Sequence, residues 1–127
     1  MNTTQGAAEM HFAYSAGGGF HTFLLRKGHD SMKLAIIAFT RAGCMFAKRI
    51  RDAYEQKGNT CVCLCKGRDA AEWGIPMLEG SLKEWTGNMF RECDSLLFIG
   101  AAGIAVRAIA PFVVSKASDP AVLVMDE

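Results

Sequence analysis

The residues best suited to chemistry sit in two turns. Thr40-Arg41-Ala42-Gly43 and Gly100-Ala101-Ala102-Gly103 each follow a short apolar run and lead into a helical pattern. An apolar run entering a turn of small residues is how a buried parallel strand hands over to a helix. The first backbone N–H groups of such a helix lack intrahelical partners and carry the positive end of its dipole. Two such turns facing one crevice would hold a carboxylate or phosphate. Ile104 follows the second turn, and Arg107 adds a guanidinium four residues after Gly103 that can clamp an acid. Each feature also has a plainer role. Gly-x-x-Gly serves equally as a tight strand-to-helix turn, Thr40 as a helix N-cap, and Arg107 as a surface arginine on a short helix.

Other chemistry is narrowed by composition. All three histidines (His11, His21, His29) precede Met32. If the folded part begins there, Ser-His-Asp and Cys-His catalysis and histidine-ligated metals are excluded from it, and no metal site is expected. A carboxylate, lysine or thiolate would then serve as base. Cys61, Cys63 and Cys65 alternate, so on a strand they share one face; their spacing fits burial better than zinc, whose cysteines usually stand two residues apart. Cys44, in the first turn, would be a thiol near a helix N-terminus. Five cysteines on a strand–helix framework, with no secretory signal, suit a reducing cytoplasm. With 127 residues and a net charge of +1, a polybasic nucleic-acid binder and a large multi-site enzyme are both excluded.

The positioning elements follow from pattern. Strands are expected at 33–39, 60–65, 95–99 and 121–125. Phe46, Ile50 and Tyr54 recur every four residues on a helix ended by Gly58; Ser81 to Glu84 has capping-box spacing before a helix carrying Leu82, Trp85 and Met89; a short third helix runs from Ile104 to Ile109 and stops near Pro111. The alternation predicts an α/β fold: a small three-layer, mostly parallel four-stranded sheet with flanking helices, flavodoxin- or Rossmann-like. With the second strand outermost, then the first, third and fourth, the two turns meet where successive connections diverge to opposite faces.

Residues 1–31 read as a flexible extension that is a candidate non-native segment, with the α/β domain at 32–127. Purine-rich codons for Arg26-Lys27-Gly28 would suit a bacterial start at Met32. The stretch from Ser95 to Val114 has bilayer length, but Arg107, Pro111 and its glycines favour strand, turn and helix over a membrane span.

From Met32 the chain resembles the N-terminal domain of the cobalamin biosynthesis protein CbiG family, cobalt-precorrin 5A hydrolases. The resemblance rests on MKLAIIAFTRAGCMFAKRI, LKEWTGNMF and LLFIGAAGIAVRAIAPFVVSKASDPAVLVMDE, the last with Gly-Ile-x-Val-Arg, Ile-Ala-Pro and Asp-Pro-Ala-Val followed by Asp-Glu. It covers about three quarters of the chain. It implies a role in anaerobic vitamin B12 synthesis: opening the ring A δ-lactone of cobalt-precorrin 5A, with release of acetaldehyde, to give cobalt-precorrin 5B. The ligand would be a cobalt corrinoid rich in carboxylates, with cobalt carried by the substrate and no resident cofactor. Thr40, Arg41, Gly43, Gly100, Ala101, Ala102, Gly103, Ile104 and Arg107 would bind it, and Asp126 or Glu127 would position water. Family members continue past Asp-Glu into Gly-His-Leu-Gly-Gly-Ala-Asn and two further regions. The chain is therefore expected to be a fragment or a subunit that works with those regions as a separate chain, and need not act alone. Neither nucleic acid nor membrane is an expected partner. The rival expectation is a non-catalytic, flavodoxin-like module for an anion or nucleotide, or a scaffold subunit.

Overall fold

The computed structural model describes residues 9–14, 32–115 and 117–126. Four strands, β2 (Lys33–Ala38), β3 (Thr60–Cys65), β4 (Ser95–Ile99) and β5 (Ala121–Asp126), pair in parallel in the order β3-β2-β4-β5. That is the order under which the two turns would meet. Three helices connect them: α1 (Arg41–Gln56), α2 (Leu82–Glu92) and α3 (Ala102–Ile109). The α/β expectation therefore holds.

The apolar runs serve both faces of the sheet. Leu34, Ile36 and Ala38 of β2, with Leu97 and Ile99 of β4, pack with Cys44 and Ala47 of α1. Ala35, Ile37, Leu96, Phe98, Val122 and Val124 face the opposite way, against Trp85 and Phe90 of α2 and Ala105, Ala108 and Ile109 of α3. Burial on both faces is why these strands show no polar alternation. Trp85 meets Phe98 edge-on, ring centroids 6.4 Å apart.

The helix ends obey local chemistry. Thr40 Oγ1 accepts from Gly43 N at 3.0 Å, and Ser81 Oγ accepts from Glu84 N at 3.0 Å. Gly58 ends α1 with φ +85°, a backbone state that favours glycine. The irregular stretch after β3 contains a 3₁₀ turn, Arg68–Trp73, and then returns to β3, where Cys65 N donates to Pro76 O and Leu78 N to Cys65 O. Ser95 to Val114, the stretch of bilayer length, is divided between β4 and the eight-residue α3. Among the described residues no helix is long and apolar enough to cross a membrane.

Two findings depart from the sequence expectations. A fifth strand, β1 (Glu9–Tyr14), lies inside the segment read as an extension and pairs antiparallel with β5. His11 falls at the register irregularity between Met10 and Phe12, so one histidine belongs to the sheet. The pairing depends on the open edge of β5, which the local pattern of residues 1–31 does not reveal. The rest of that segment and the proposed start lie outside the described residues, Met32 excepted.

The second departure concerns thiols. Cys61, Cys63 and Cys65 do share the α1 face. Cys44 and Cys65, however, are joined in a disulfide with Cα atoms 6.2 Å apart, where five reduced cysteines were expected. Parallel packing sets the first turn of α1 over the carboxyl end of β3, a proximity that 21 residues of sequence separation conceal.

Candidate functional site: a crevice at the carboxyl edge

β2 and β4 are neighbours, and their connections leave in opposite directions, α1 to one face and α3 to the other. Such a point opens a crevice beyond the carboxyl ends of the strands. The turns that end these strands touch there. A Cβ built on Gly100 would stand 3.1 Å from Phe39 Cδ2, a tight approach that would force the ring back, so the glycine lets Phe39 close over this point. Gly100 N also donates to Met125 O at 2.9 Å, tying the end of β5 to the same place.

The two halves of the crevice differ in what they leave free. At the first turn the Thr40 hydroxyl is used as the N-cap, Gly43 is buried beneath it, and the Arg41 guanidinium reaches Glu72, Nη2 to Oε2 2.6 Å. Thr40 thus serves as the helix cap. At the second turn Ala101 is the N-cap of α3 and makes no side-chain cap bond. Ala101, Ala102, Gly103 and Ile104 are all exposed. A Cβ on Gly103 would meet nothing within 4 Å, so Gly103 faces open space, whereas Gly100 is needed for packing. Among the α-helices of the described residues, α3 alone presents first-turn amides with no side-chain cap from its N-cap residue.

Arg107 is exposed one turn further along α3 and forms none of the ion pairs seen among the described residues. Asp126 is exposed at the end of β5, next to the residue that bonds Gly100. Glu127 lies outside the described residues. The topology thus gathers Gly100, Ala101, Ala102, Gly103 and Asp126 at one edge, with Ile104 and Arg107 on the helix that leaves it. Arg41 is turned aside toward Glu72. Sequence reasoning missed Phe39, whose ring joins the turns, and Glu72, which engages Arg41. Phe39 reads as the last residue of an apolar run, and Glu72 is 31 residues from its partner, so neither carries a local signal.

Burial keeps the three free thiols protonated at neutral pH. Burial pushes the Cys63 and Cys93 thiols up to about 11 and the Cys61 thiol up to about 12. An open depression of about 640 Å³ lies elsewhere, lined by Lys83, Trp85, Asn88, Arg91 and Phe112 among others, and it includes none of the candidate binding or catalytic residues. Among the described residues no three metal-ligating side chains of His, Cys, Asp or Glu type gather.

These features define a class: a small doubly wound α/β domain with an uncapped helix N-terminus at its topological switch point. Residues 84–127, from α2 through β5, match the family described as cobalamin synthesis G N-terminal. The chain is 38% identical over 94 residues to the cobalt-precorrin-5A hydrolase of Salmonella typhimurium and 30% identical over 93 residues to that of Priestia megaterium. These alignments take in 74% and 73% of this chain, and 25% of each relative. The chain thus spans about a quarter of the length of the curated relatives it matches. No solved structure matches it. Residues 84–127 thus carry the N-terminal sequence of the cobalamin synthesis G family.

Proposed function

We propose that this domain contributes to cobalt-precorrin-5A hydrolysis in anaerobic cobalamin synthesis, in the cytoplasm. In that reaction water is consumed and the acyl–oxygen bond of the ring A δ-lactone breaks, giving a carboxylate and an alkoxide; the alkoxide then becomes the C=O of acetaldehyde as the carbon–carbon bond to the macrocycle breaks, and the ring carbon takes up a proton. Two relatives bearing that name, aligned over nearly three quarters of the chain, carry the proposal. The crevice supports it chemically. The substrate is a cobalt macrocycle fringed with carboxylates; the free amides at Ala102 and Gly103 suit a carboxylate or a developing oxyanion, and Arg107 suits a second carboxylate. Asp126, exposed at the same edge, would orient water, a role that sequence reading shares between it and Glu127. Cobalt enters as part of the substrate, and the domain uses no resident cofactor.

Titration with cobalt-precorrin 5A, followed by corrinoid absorbance, tests binding. Acetaldehyde release should appear when the remaining three quarters of a hydrolase chain is supplied. A chain that leaves the corrinoid spectrum unchanged at saturating concentration, alone and with that remainder, would refute the proposal.

A further inference from the structure

The outward face of α3 differs from that of the other helices. α1 exposes Arg41, Arg49 and Glu55, and α2 exposes Lys83, Glu84, Arg91 and Glu92. From Gly100 to Ser115 the only charged residue is Arg107. Val106 is 49% exposed, Val113 42% and Val114 82%, with Ala110 and Pro111 exposed between them. At 3.6 residues per turn, Val106 and Ala110 lie on one flank of α3, and Val113 continues that line beyond the 3₁₀ turn Ala110–Phe112. Ile104 and Pro111 lie on the opposite flank, with Arg107 between. A helix apolar on its outward as well as its inward side is normally covered.

We propose that the Val106–Ala110–Val113–Val114 surface is where the region following this domain in cobalt-precorrin-5A hydrolases docks, and that the docked region forms a wall of the crevice. The inference rests on the family reading given above. Three quarters of each relative lies outside the matched segment, and the family match describes that segment as N-terminal. Position agrees. Gly100 N bonds Met125 O, so β5 ends beside the turn that opens α3. The Val106 end of the surface therefore lies about one helical turn from that point, and the surface runs back from there toward the start of β5, where Asp119 holds Val114; a region covering its near end also borders Gly103 and Arg107. The occupant is thus an apolar protein face that leaves the Arg107 guanidinium to the substrate.

The test mixes the full 127-residue chain with the remainder of the S. typhimurium hydrolase, made without the matched segment, and measures complex formation by sedimentation velocity and calorimetry. The expected result is a 1:1 complex that Val106→Glu and Val113→Glu each weaken at least tenfold. Arg49→Glu, on the outer face of α1, leaves it unchanged. Because these valines are exposed, the variants should keep the parent circular dichroism. Hydrogen exchange gives a measure independent of whether the remainder folds alone: the helix of the full-length relative that aligns with α3 should exchange more slowly than α3 in this chain. Equal exchange, variants that bind as the parent does, or a self-associating chain whose dimer is broken by Val113→Glu would each overturn the proposal. Corrinoid titration of Val106→Glu separates the two readings. Corrinoid binding with undisturbed docking defeats only the interface, whereas docking without corrinoid binding defeats only the proposed function.

Discussion

Phe39 lies against the backbone of Gly100, so close that a methyl group on residue 100 would stand 3.1 Å from its ring carbon Cδ2. Through this contact the turn after β2 and the turn after β4 become one structure. Gly100→Ala should lower stability by about 1–3 kcal/mol by overpacking. In urea melts the paired Phe39→Ala change should show a coupling energy of about 0.5 kcal/mol or more with it. Additive losses would show that the two residues do not meet.

Thr40 and Arg107 should separate stability from binding. Thr40→Ala removes the cap bond to Gly43 N and should lower stability by about 1 kcal/mol, with corrinoid affinity unchanged. Arg107→Ala removes an exposed guanidinium. Stability should stay within about 0.5 kcal/mol of the parent, while cobalt-precorrin affinity falls about tenfold or more, the size of a charge-assisted bond. Comparing melts with titrations for both variants checks the pair.

Asp119 holds the loop before β5. It is buried, and its Oδ2 accepts from Val114 N at 2.9 Å and Ser115 N at 3.2 Å. Asp119→Ala leaves those amides without that acceptor and should cost about 1–3 kcal/mol in urea unfolding. The same bonds anchor Val114, so hydrogen exchange at Val114 and Ser115 should quicken in the variant.

The thiols give a count and a pH dependence. Without reductant, the native chain should yield three free thiols after denaturation, Cys61, Cys63 and Cys93. In the folded chain these should alkylate slowly at pH 8, because burial raises their pKa to about 11–12. Above about pH 9 the unfolded chain loses thiol protons that the folded chain keeps. Stability should therefore be flat below pH 8 and fall as pH rises from 9 toward 11. Urea midpoints between pH 7 and 10.5 measure this; a rise would contradict the burial.

Local patterns carried much of the fold. Lys33-Leu34-Ala35-Ile36-Ile37-Ala38 and Ser95-Leu96-Leu97-Phe98-Ile99 read as buried strands because a strand covered on both faces needs apolar side chains at every position. Ser81 and Glu84 marked a helix start three residues apart, within reach of a single hydrogen bond. The two glycine-bearing turns were visible for the same reason. Tertiary structure decided what each group was free to do. Phe39 reserved Gly100 for packing, Glu72 drew Arg41 aside, Cys44 met Cys65, and the bare edge of β5 recruited Glu9–Tyr14. Backbone propensity acts over a few residues and is written locally. A site depends on which groups the topology brings within a few ångströms, and that is set by packing across tens of residues.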